Sequence, residues 1–123
     1  VDFLRQNFQR HNVMYTLWSE AGEFLASASA VQTIDAYFVS NVMVAEAHRG
    51  KGLTAPVMRA AEDFCAKNRK RVAFLWCDKE LVPFYEQKHG YVWQESRRMG
   101  RERTVEILKK DLREARRRAS RMS

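Results

Sequence analysis

The stretch that decides the fold is AHRGKGLTAPVMRAAEDFCAKN, residues 47–68. It opens with a loop in which Gly50 and Gly52 flank Lys51, and its second part has apolar residues at three- and four-residue steps, which predicts an amphipathic helix. Residues 36–44, just before the loop, are rich in β-branched and aromatic side chains, and 71–77 form a nearly unbroken apolar run. Both predict strands, the second one buried on both faces. Strand, glycine loop, helix and strand together predict a βαβ crossover.

The helix after the loop has recognisable start and stop signals. Thr54 is predicted to cap its first turn through the hydroxyl, and Pro56 falls in that turn, where a missing N–H breaks no helical hydrogen bond. The helix is expected to end near Asn68.

The remaining segments extend this unit on both sides. Residues 3–11 carry apolar side chains at helix-compatible places and predict a short helix. Residues 13–32 contain β-formers around a turn at 20–23, which predicts a hairpin. Residues 79–90 predict a short helix ended by Gly90, and 91–99 and 104–110 predict two strands.

Length and composition indicate one domain. The chain has 123 residues and no uncharged apolar run near the roughly 20 residues that cross a bilayer. Cys65 and Cys77 have apolar neighbours, which favours reduced thiols and a cytoplasmic protein. Two cysteines and three scattered histidines offer no metal-ligand spacing, so no metal is expected. The first residues lack a secretory signal, and the chain does not begin with Met, so it could start inside a longer one.

The glycine loop has the properties of an anion site. The first N–H groups of a helix have no partner within the helix, and its dipole places partial positive charge there. Gly50 and Gly52 let backbone amides approach a phosphate closely, while Arg49 and Lys51 add positive charge. An isolated Gly-Lys-Gly is also compatible with a tight turn carrying solvated basic residues.

The loop differs from two common phosphate loops and resembles a third. Residues 47–54 lack the glycine spacing and the Lys-Ser/Thr pair of a nucleotide P-loop, and they lack the three spaced glycines of a dinucleotide fingerprint. The segment Ala47–Gly52 resembles the pyrophosphate loop of the GNAT superfamily of N-acetyltransferases, Gln/Arg-x-x-Gly-x-Gly/Ala. Ala47 departs from the family pattern, in which Gln or Arg is usual at that position.

A second motif strengthens the resemblance. DKELVPFYEQKHGYVW, residues 78–93, is similar to the family element Asn-x-x-Ala-x-x-Phe-Tyr-Glu-Lys-x-Gly-Phe. Asp78 stands at the Asn position, Phe84, Tyr85 and Glu86 match directly, and one additional residue precedes Gly90. The resemblance implies an α+β fold: a mixed, mostly antiparallel sheet with a central splayed parallel pair, helices on both faces and a shortened N-terminal part.

The resemblance also implies a coenzyme and the residues that hold it. Members of the family bind acetyl-coenzyme A with the pyrophosphate on the glycine loop and the pantetheine arm along the central strand. Transferred to this chain, the coenzyme-binding residues are Met43, Val44, His48, Arg49, Gly50, Lys51, Gly52, Leu53, Thr54, Asp78 and Phe84.

The implied reaction is direct attack of a neutral amine on the thioester, without an acyl-enzyme. Tyr85 matches the family position that gives a proton to the leaving thiolate; the alternative is a core tyrosine with a satisfied hydroxyl. Asp35 and Glu46 are candidates for the base that deprotonates the amine, although each could be a solvated charge. His48 and His89 are poorer candidates for that role. Cys77 fits a buried thiol better than a nucleophile.

The acceptor is less defined than the donor. Residues 81–91 resemble those of relatives that acetylate small amines such as aminoglycosides, while a protein amine stays open. Aromatic residues could line an acceptor pocket, though most aromatics of a small domain serve its core; they are Trp18, Phe24, Tyr37, Phe38 and Trp76. A non-catalytic acyl-coenzyme A-binding relative is the alternative function.

The basic excess lies mostly at the end of the chain. The formal net charge is +7, and residues 109–121 carry seven basic and two acidic side chains. We therefore divide the chain into an acyltransferase domain, 1–108, and a basic helix or tail, 109–123. The tail could bind nucleic acid or a ribosomal surface. Alternatively, it forms a solvated helix packed at one edge of the domain or against a second subunit.

Overall fold

The computed structural model describes residues 2–33, 36–68, 70–115 and 117. Its two longer α-helices are α1 (Thr54–Lys67) and α2 (Val82–His89), and short 3₁₀ turns lie at Glu46–His48 and Lys79–Leu81. Residues 113–115 and 117 are also helical. The described residues also form seven strands: β1 (Phe3–Gln9), β2 (Asn12–Trp18), β3 (Phe24–Gln32), β4 (Tyr37–Val44), β5 (Val72–Cys77), β6 (Val92–Met99) and β7 (Arg103–Asp111).

All seven strands belong to one sheet in the order β1-β2-β3-β4-β5-β7-β6. Neighbouring strands are antiparallel except β4 and β5, which are parallel and are connected along the chain by α1. This arrangement confirms the predicted fold class, the βαβ unit, the hairpin of β2 and β3, and the two final strands.

The parallel pair separates soon after it forms. Only Tyr37 with Ala73 and Phe38 with Phe74 are register partners, although β4 continues to Val44 and β5 to Cys77. The separation coincides with a bulge in β4. Ser27 pairs with Met43 and Ser29 with Ser40, so two residues of β4 stand opposite one residue of β3. A bulge of this kind bends its strand and increases its twist, which turns the end of β4 away from β5.

The bulge has a residue suited to it. Asn41 adopts a positive φ of 53°, a conformation that asparagine tolerates better than most side chains. Its carbonyl accepts a hydrogen bond of 2.9 Å from the Ser27 hydroxyl, and its side-chain amide lies 3.4 Å from the hydroxyl of Ser29. Side chains of β3 therefore hold the bent part of β4 in place.

Both helices lie on the same face of the sheet, although helices on both faces were predicted. The crossovers from β4 to β5 and from β5 to β6 advance in the same direction across the sheet, and right-handed connections then place their helices on one side. Contacts between the helical regions agree: Thr54 of α1 meets His89 of α2, and Glu62 of α1 meets Tyr91 just after α2. The opposite face carries Phe38 and Phe74, whose ring centroids are 5.8 Å apart.

A partly buried ion pair joins Glu62 of α1 to Lys110 of β7. The Glu62 carboxylate, only 3% exposed, accepts hydrogen bonds of 2.9 Å from the Lys110 ammonium and 2.9 Å from the Tyr91 hydroxyl. These contacts join α1, β7 and the residue that leads into β6. A buried carboxylate needs such partners, because without them its desolvation would cost several kcal/mol.

Three local predictions were wrong. Residues 3–9 form strand β1, not a helix, because every residue of the segment pairs with β2. Trp76 is 42% exposed, so β5 is not buried on both faces. The cap position of α1 is Leu53, with no side-chain capping bond, and the Thr54 hydroxyl contacts His89 instead.

The predicted boundary after residue 108 falls inside β7, which continues to Asp111. Beyond it, Leu112 and Ala115 are buried in the hydrophobic core, and the Leu112 N–H donates 2.8 Å to the Arg71 carbonyl. The described beginning of the basic segment is therefore packed against the domain. In the parts of the chain that the structure describes, no helix combines the length and apolarity needed to span a membrane.

Candidate active site

The glycine loop presents free backbone donors beside the start of α1. Gly50 has φ +83° and Gly52 φ +71°, and a Cβ built on either residue would meet nothing within 4 Å. Among the described residues, no acceptor is found for the N–H groups of Gly50, Lys51, Gly52 and Leu53. Unpaired donors at a helix N-terminus form a site for an anion, because the helix dipole adds to their field.

The side chains of the loop divide into two groups. Arg49 lines the groove next to the loop, and its Nε lies 3.4 Å from the Val44 carbonyl at the end of β4. His48 Nε2 lies 2.6 Å from a carboxylate oxygen of Glu23, and its Nδ1 lies 3.1 Å from Lys51 Nζ. His48 thus contacts the β2–β3 turn, Lys51 contacts His48, and both lie outside the groove lining.

The groove next to the loop, called here the loop groove, has a volume of about 680 Å³. Most of the predicted coenzyme residues line it: Met43, Val44, Arg49, Gly50, Gly52, Leu53, Thr54 and Phe84. It has further lining residues that the sequence did not single out for this role: Val42, Ala55, Leu81, Lys88 and His89. Leu81, Lys88 and His89 fall within the second motif, whereas the sequence carried no signal for Val42 and Ala55.

Two lining residues of the loop groove connect the two helices. Thr54 Oγ1 lies 3.0 Å from His89 Nε2, and the His89 ring packs edge-on against Phe84 at a centroid distance of 5.0 Å. Burial lowers the pKa of His89, and the nearby Lys110 charge lowers it further. The imidazole is therefore neutral at physiological pH and can share a hydrogen with the Thr54 hydroxyl.

Tyr85 lies between the loop groove and a second cavity and lines both. Burial, with a smaller contribution from Cys77, raises the pKa of its phenol to about 12, so the hydroxyl keeps its proton at neutral pH. No described residue makes a hydrogen bond to that hydroxyl. By contrast, the hydroxyl of Tyr91 donates to Glu62 and that of Tyr15 accepts from Gln6. Tyr85 is thus a largely buried, protonated donor at the border of two cavities, without a described hydrogen-bond partner.

The second cavity has a volume of about 260 Å³ and lies in the gap between β4 and β5. Its described lining contains two charged residues, Asp78 and Arg103, whose side chains are 3.4 Å apart. The Arg103 guanidinium also lies over the Trp76 ring, 5.4 Å from its centroid. Asp78, predicted to bind the coenzyme, therefore lines this cavity and not the loop groove. Of the other aromatic candidates, Tyr37 is buried in the core.

Within the described part of the chain, neither candidate base is found next to Tyr85. Glu46 is exposed on the 3₁₀ turn after β4 and lines neither of the two cavities. Asp35 lies outside the described residues. Cys77 lines the second cavity, but burial and the neighbouring carboxylates of Asp78 and Glu106 raise its pKa to about 11, which keeps the thiol protonated and unreactive.

The arrangement suits a ligand that has an anionic group and a long arm. The anionic group would meet the free N–H groups of the loop, and the arm could follow the end of β4 into the gap towards Tyr85. The family model described as the acetyltransferase (GNAT) family matches residues 1–91. The chain belongs to that family. Membership makes it an acetyltransferase, and acetyl-coenzyme A is the acetyl donor of GNAT enzymes.

Solved structures share the fold of this GNAT domain at low sequence identity. Escherichia coli ElaA is 19% identical with a TM-score of 0.68, covering 85% of this chain and 71% of its own. A mutant spermidine N-acetyltransferase from Vibrio cholerae is 15% identical with a TM-score of 0.71, covering 90% and 70%. A protein classed as a streptothricin acetyltransferase from Bacillus anthracis, in complex with acetyl coenzyme A, is 8% identical with a TM-score of 0.71, covering 84% and 64%.

Among curated protein sequences, none matches this chain. At these identities the solved structures support the fold alone. The assignment to the GNAT family therefore depends on the family model, with which the loop and the position of Tyr85 agree.

Proposed function

We propose that the protein transfers the acetyl group of acetyl-coenzyme A to a primary amine by direct attack in a ternary complex. The observation that carries this proposal is the position of Tyr85, which borders both the loop groove and the second cavity. A donor bound in the first and an acceptor bound in the second would meet at its hydroxyl.

The donor side is formed by backbone more than by side chains. The N–H groups of Gly50, Lys51, Gly52 and Leu53 would hold the pyrophosphate, with Arg49 adding positive charge from the groove wall. Because β4 leaves β5 after Phe38, its last residues have backbone groups free on the side of the gap. Met43 and Val44 are the residues that would pair there with the amide groups of the pantetheine arm.

The chemistry needs a proton donor and no protein nucleophile. Acetyl-coenzyme A, when bound, supplies an acetyl group activated as a thioester. The amine nitrogen forms the new C–N bond, the C–S bond breaks, and Tyr85 donates its proton to the departing sulfur. A phenol with a pKa of about 12 is fully protonated when that proton is required. Holding both reactants side by side then provides most of the acceleration.

The proton that leaves the amine needs an acceptor. Asp35 and Glu46 remain our predictions for this role, and Asp35→Asn and Glu46→Gln are the variants that test them. Loss of turnover in one variant, with acetyl-coenzyme A binding retained, would identify the base. If both variants keep wild-type turnover, the amine loses its proton to solvent.

Small amines are the acceptor class that we favour. The second cavity is small, about 260 Å³, and two proteins that share the fold are named for spermidine and streptothricin acetylation. Thiol release from acetyl-coenzyme A across a panel of small amines, with a lysine-containing peptide alongside, tests the proposal. A non-catalytic relative would bind acetyl-coenzyme A in calorimetry and release no thiol with any amine.

The basic C-terminal segment gives weaker support to a nucleic-acid partner. Among its described basic residues, Arg113 lies 3.5 Å from Asp111 and Arg117 lies 3.2 Å from Glu114, so part of the charge is paired locally. Binding to RNA that falls steeply with added salt would support a nucleic-acid role. Sedimentation in the absence of ligand would test the alternative that this segment packs against a second subunit in a homodimer.

A further inference from the structure

We propose that Trp76 and Asp78 form a subsite for a second cationic group on the amine acceptor, and that Arg103 occupies this subsite in the free protein. The inference rests on the proposed acetyl transfer and goes further by naming the acceptor class: an aliphatic diamine or a guanidino-amine with one reacting and one anchoring nitrogen.

The first observation is the position of Arg103. Its guanidinium carbon lies 5.4 Å from the centroid of the Trp76 ring, and its Nη2 lies 3.4 Å from Oδ1 of Asp78. An aromatic face and a carboxylate are the two groups that recognise an organic cation in proteins. Both are directed here at the same cationic group, inside the cavity that Tyr85 borders.

The second observation is that Arg103 is held loosely. Its contact with Asp78 is long for an ion pair, and both side chains are more than half exposed. Exposed pairs of this kind contribute little stability, since solvent screens them and ordering two long side chains costs entropy. A ligand cation can therefore replace the guanidinium without disturbing the fold.

The charges in the cavity favour a cation over an anion. Asp78 and Arg103 are the charged residues of its described lining, and Glu106 acts together with Asp78 on the thiol of Cys77 at the same end of β5. An anionic group would have to draw Arg103 away from both of its partners and would then lie near the Asp78 carboxylate. A cationic group takes over contacts that already exist.

The geometry also accounts for the need for two nitrogens. Trp76 and Tyr85 line one cavity, so an acceptor anchored at Trp76 can extend towards the phenol. The anchoring nitrogen stays protonated on Asp78, while the other nitrogen must lose its proton before it attacks the thioester. The lining between the two ends consists of uncharged side chains, which suit a methylene chain: Val39, Ser40, Asn41, Val42, Leu75, Cys77 and Leu81.

The test compares three acceptors with four carbons each that differ in the end opposite the reacting amine: 1,4-diaminobutane, 1-aminobutane and 4-aminobutanoate. We expect kcat/KM for the diamine to exceed that for the monoamine by about tenfold or more, and 4-aminobutanoate to be the poorest acceptor. Trp76→Ala and Asp78→Asn should each reduce the preference for the diamine to within about twofold. Glu80→Gln, which removes a neighbouring carboxylate outside the cavity lining, should retain it.

Arg103→Gln supplies the opposite readout. With the competing guanidinium removed, KM for the diamine should fall by about threefold or more, while KM for 1-aminobutane should stay the same. A purely structural role of Arg103 would not move the two values apart. A preference for 4-aminobutanoate that disappears in Arg103→Gln would overturn the proposal, as would equal rates with the diamine and the monoamine.

Binding separates this inference from the proposed function. Calorimetry with 1,4-diaminobutane should detect binding to the wild-type protein that Asp78→Asn weakens, whether or not acetyl transfer occurs. Absence of thiol release with every amine, combined with this binding, would refute the transferase and leave the subsite standing. Thiol release at equal rates with the three acceptors would support the transferase and refute the subsite.

Discussion

The hydroxyl oxygen of Thr54 lies 3.0 Å from Nε2 of His89, so the first residue of α1 is tied to the last residue of α2. Both residues line the loop groove, and His89 also packs on Phe84 of the same lining. The helix that begins at the anion-binding loop and the helix that carries Tyr85 therefore share a contact at the groove wall.

The burial of His89 and the nearby Lys110 charge make the folded protein sensitive to acid. The pKa of His89 is lowered below its ordinary value of 6.5, so protonation is easier in the unfolded chain than in the folded one. The stability contributed by the neutral imidazole is complete above about pH 6.5 and is lost as pH falls towards the folded pKa. Urea unfolding at about pH 7 and pH 5.5 should show a decrease that is smaller in His89→Gln and unchanged in His11→Gln, an exposed control. Equal decreases in all three proteins would contradict the assignment.

Tyr85→Phe should separate chemistry from binding. Without the hydroxyl, the departing sulfur loses its proton donor, so kcat should fall by about 100-fold or more while the Kd of acetyl-coenzyme A changes by less than about threefold. Tyr37→Phe makes the same chemical change in the core and should leave kcat near the wild-type value. A weakened Kd with an unchanged kcat would assign Tyr85 a binding role instead.

The pH profile gives a second check on the same residue. Because the pKa of Tyr85 is about 12, the wild-type kcat should show no descending limb up to about pH 10. A fall in kcat centred near pH 9, absent from Tyr85→Phe, would place the titration of the phenol much lower than its buried position implies.

Two glycines with the same backbone angle provide a matched pair at the coenzyme loop. Gly50 and Gly22 both have φ +83° and no neighbour within 4 Å of a built Cβ, but only Gly50 lines the loop groove. Gly50→Ala and Gly22→Ala should each lower the free energy of unfolding by about 1–2 kcal/mol, because alanine resists a positive φ. Only Gly50→Ala should also weaken acetyl-coenzyme A binding, and Gly50→Glu should abolish it. Equal affinities for the two alanine variants would refute the pyrophosphate site.

The ion pair of Glu62 and Lys110 predicts non-additive stability changes. Lys110→Met leaves the Glu62 carboxylate buried with Tyr91 as its remaining described partner, and should cost about 3 kcal/mol. Glu62→Gln should cost less, because a neutral amide needs no counter-charge. The double variant should be more stable than Lys110→Met alone. If urea unfolding finds the two single effects simply adding, Glu62 and Lys110 are not coupled.

The sequence revealed most of the elements because their signals were local. The glycine loop, the helical spacing of apolar residues in α1 and the glycine that ends α2, Gly90, each mark one segment. The motif around Tyr85 likewise lies within one helix and its preceding turn. The prediction for residues 3–9 was wrong for the opposite reason. The spacing of Leu4 and Phe8 fits both a helix and a strand, and pairing with β2 across the hairpin turn makes the segment a strand.

The missed parts of the site depend on packing between elements. The bulge at Asn41 follows from the register of β4 against β3, which composition does not encode. His89 and Lys88 reach the groove only because α2 packs beside α1. Asp78 follows β5 at the gap, so its side chain lines the second cavity, although its motif position suggested the coenzyme.

The early separation of β4 from β5 removes backbone protection from the middle of the sheet. The middle of a sheet ordinarily holds its slowest-exchanging amide hydrogens. Here the described strands β4 and β5 share two register positions before they diverge, so amides of residues 39–44 that point into the gap face solvent. Deuterium should therefore enter the centre of this sheet as well as its edges, and a pantetheine arm seated in the gap would slow the uptake at the centre by taking the place of a neighbouring strand.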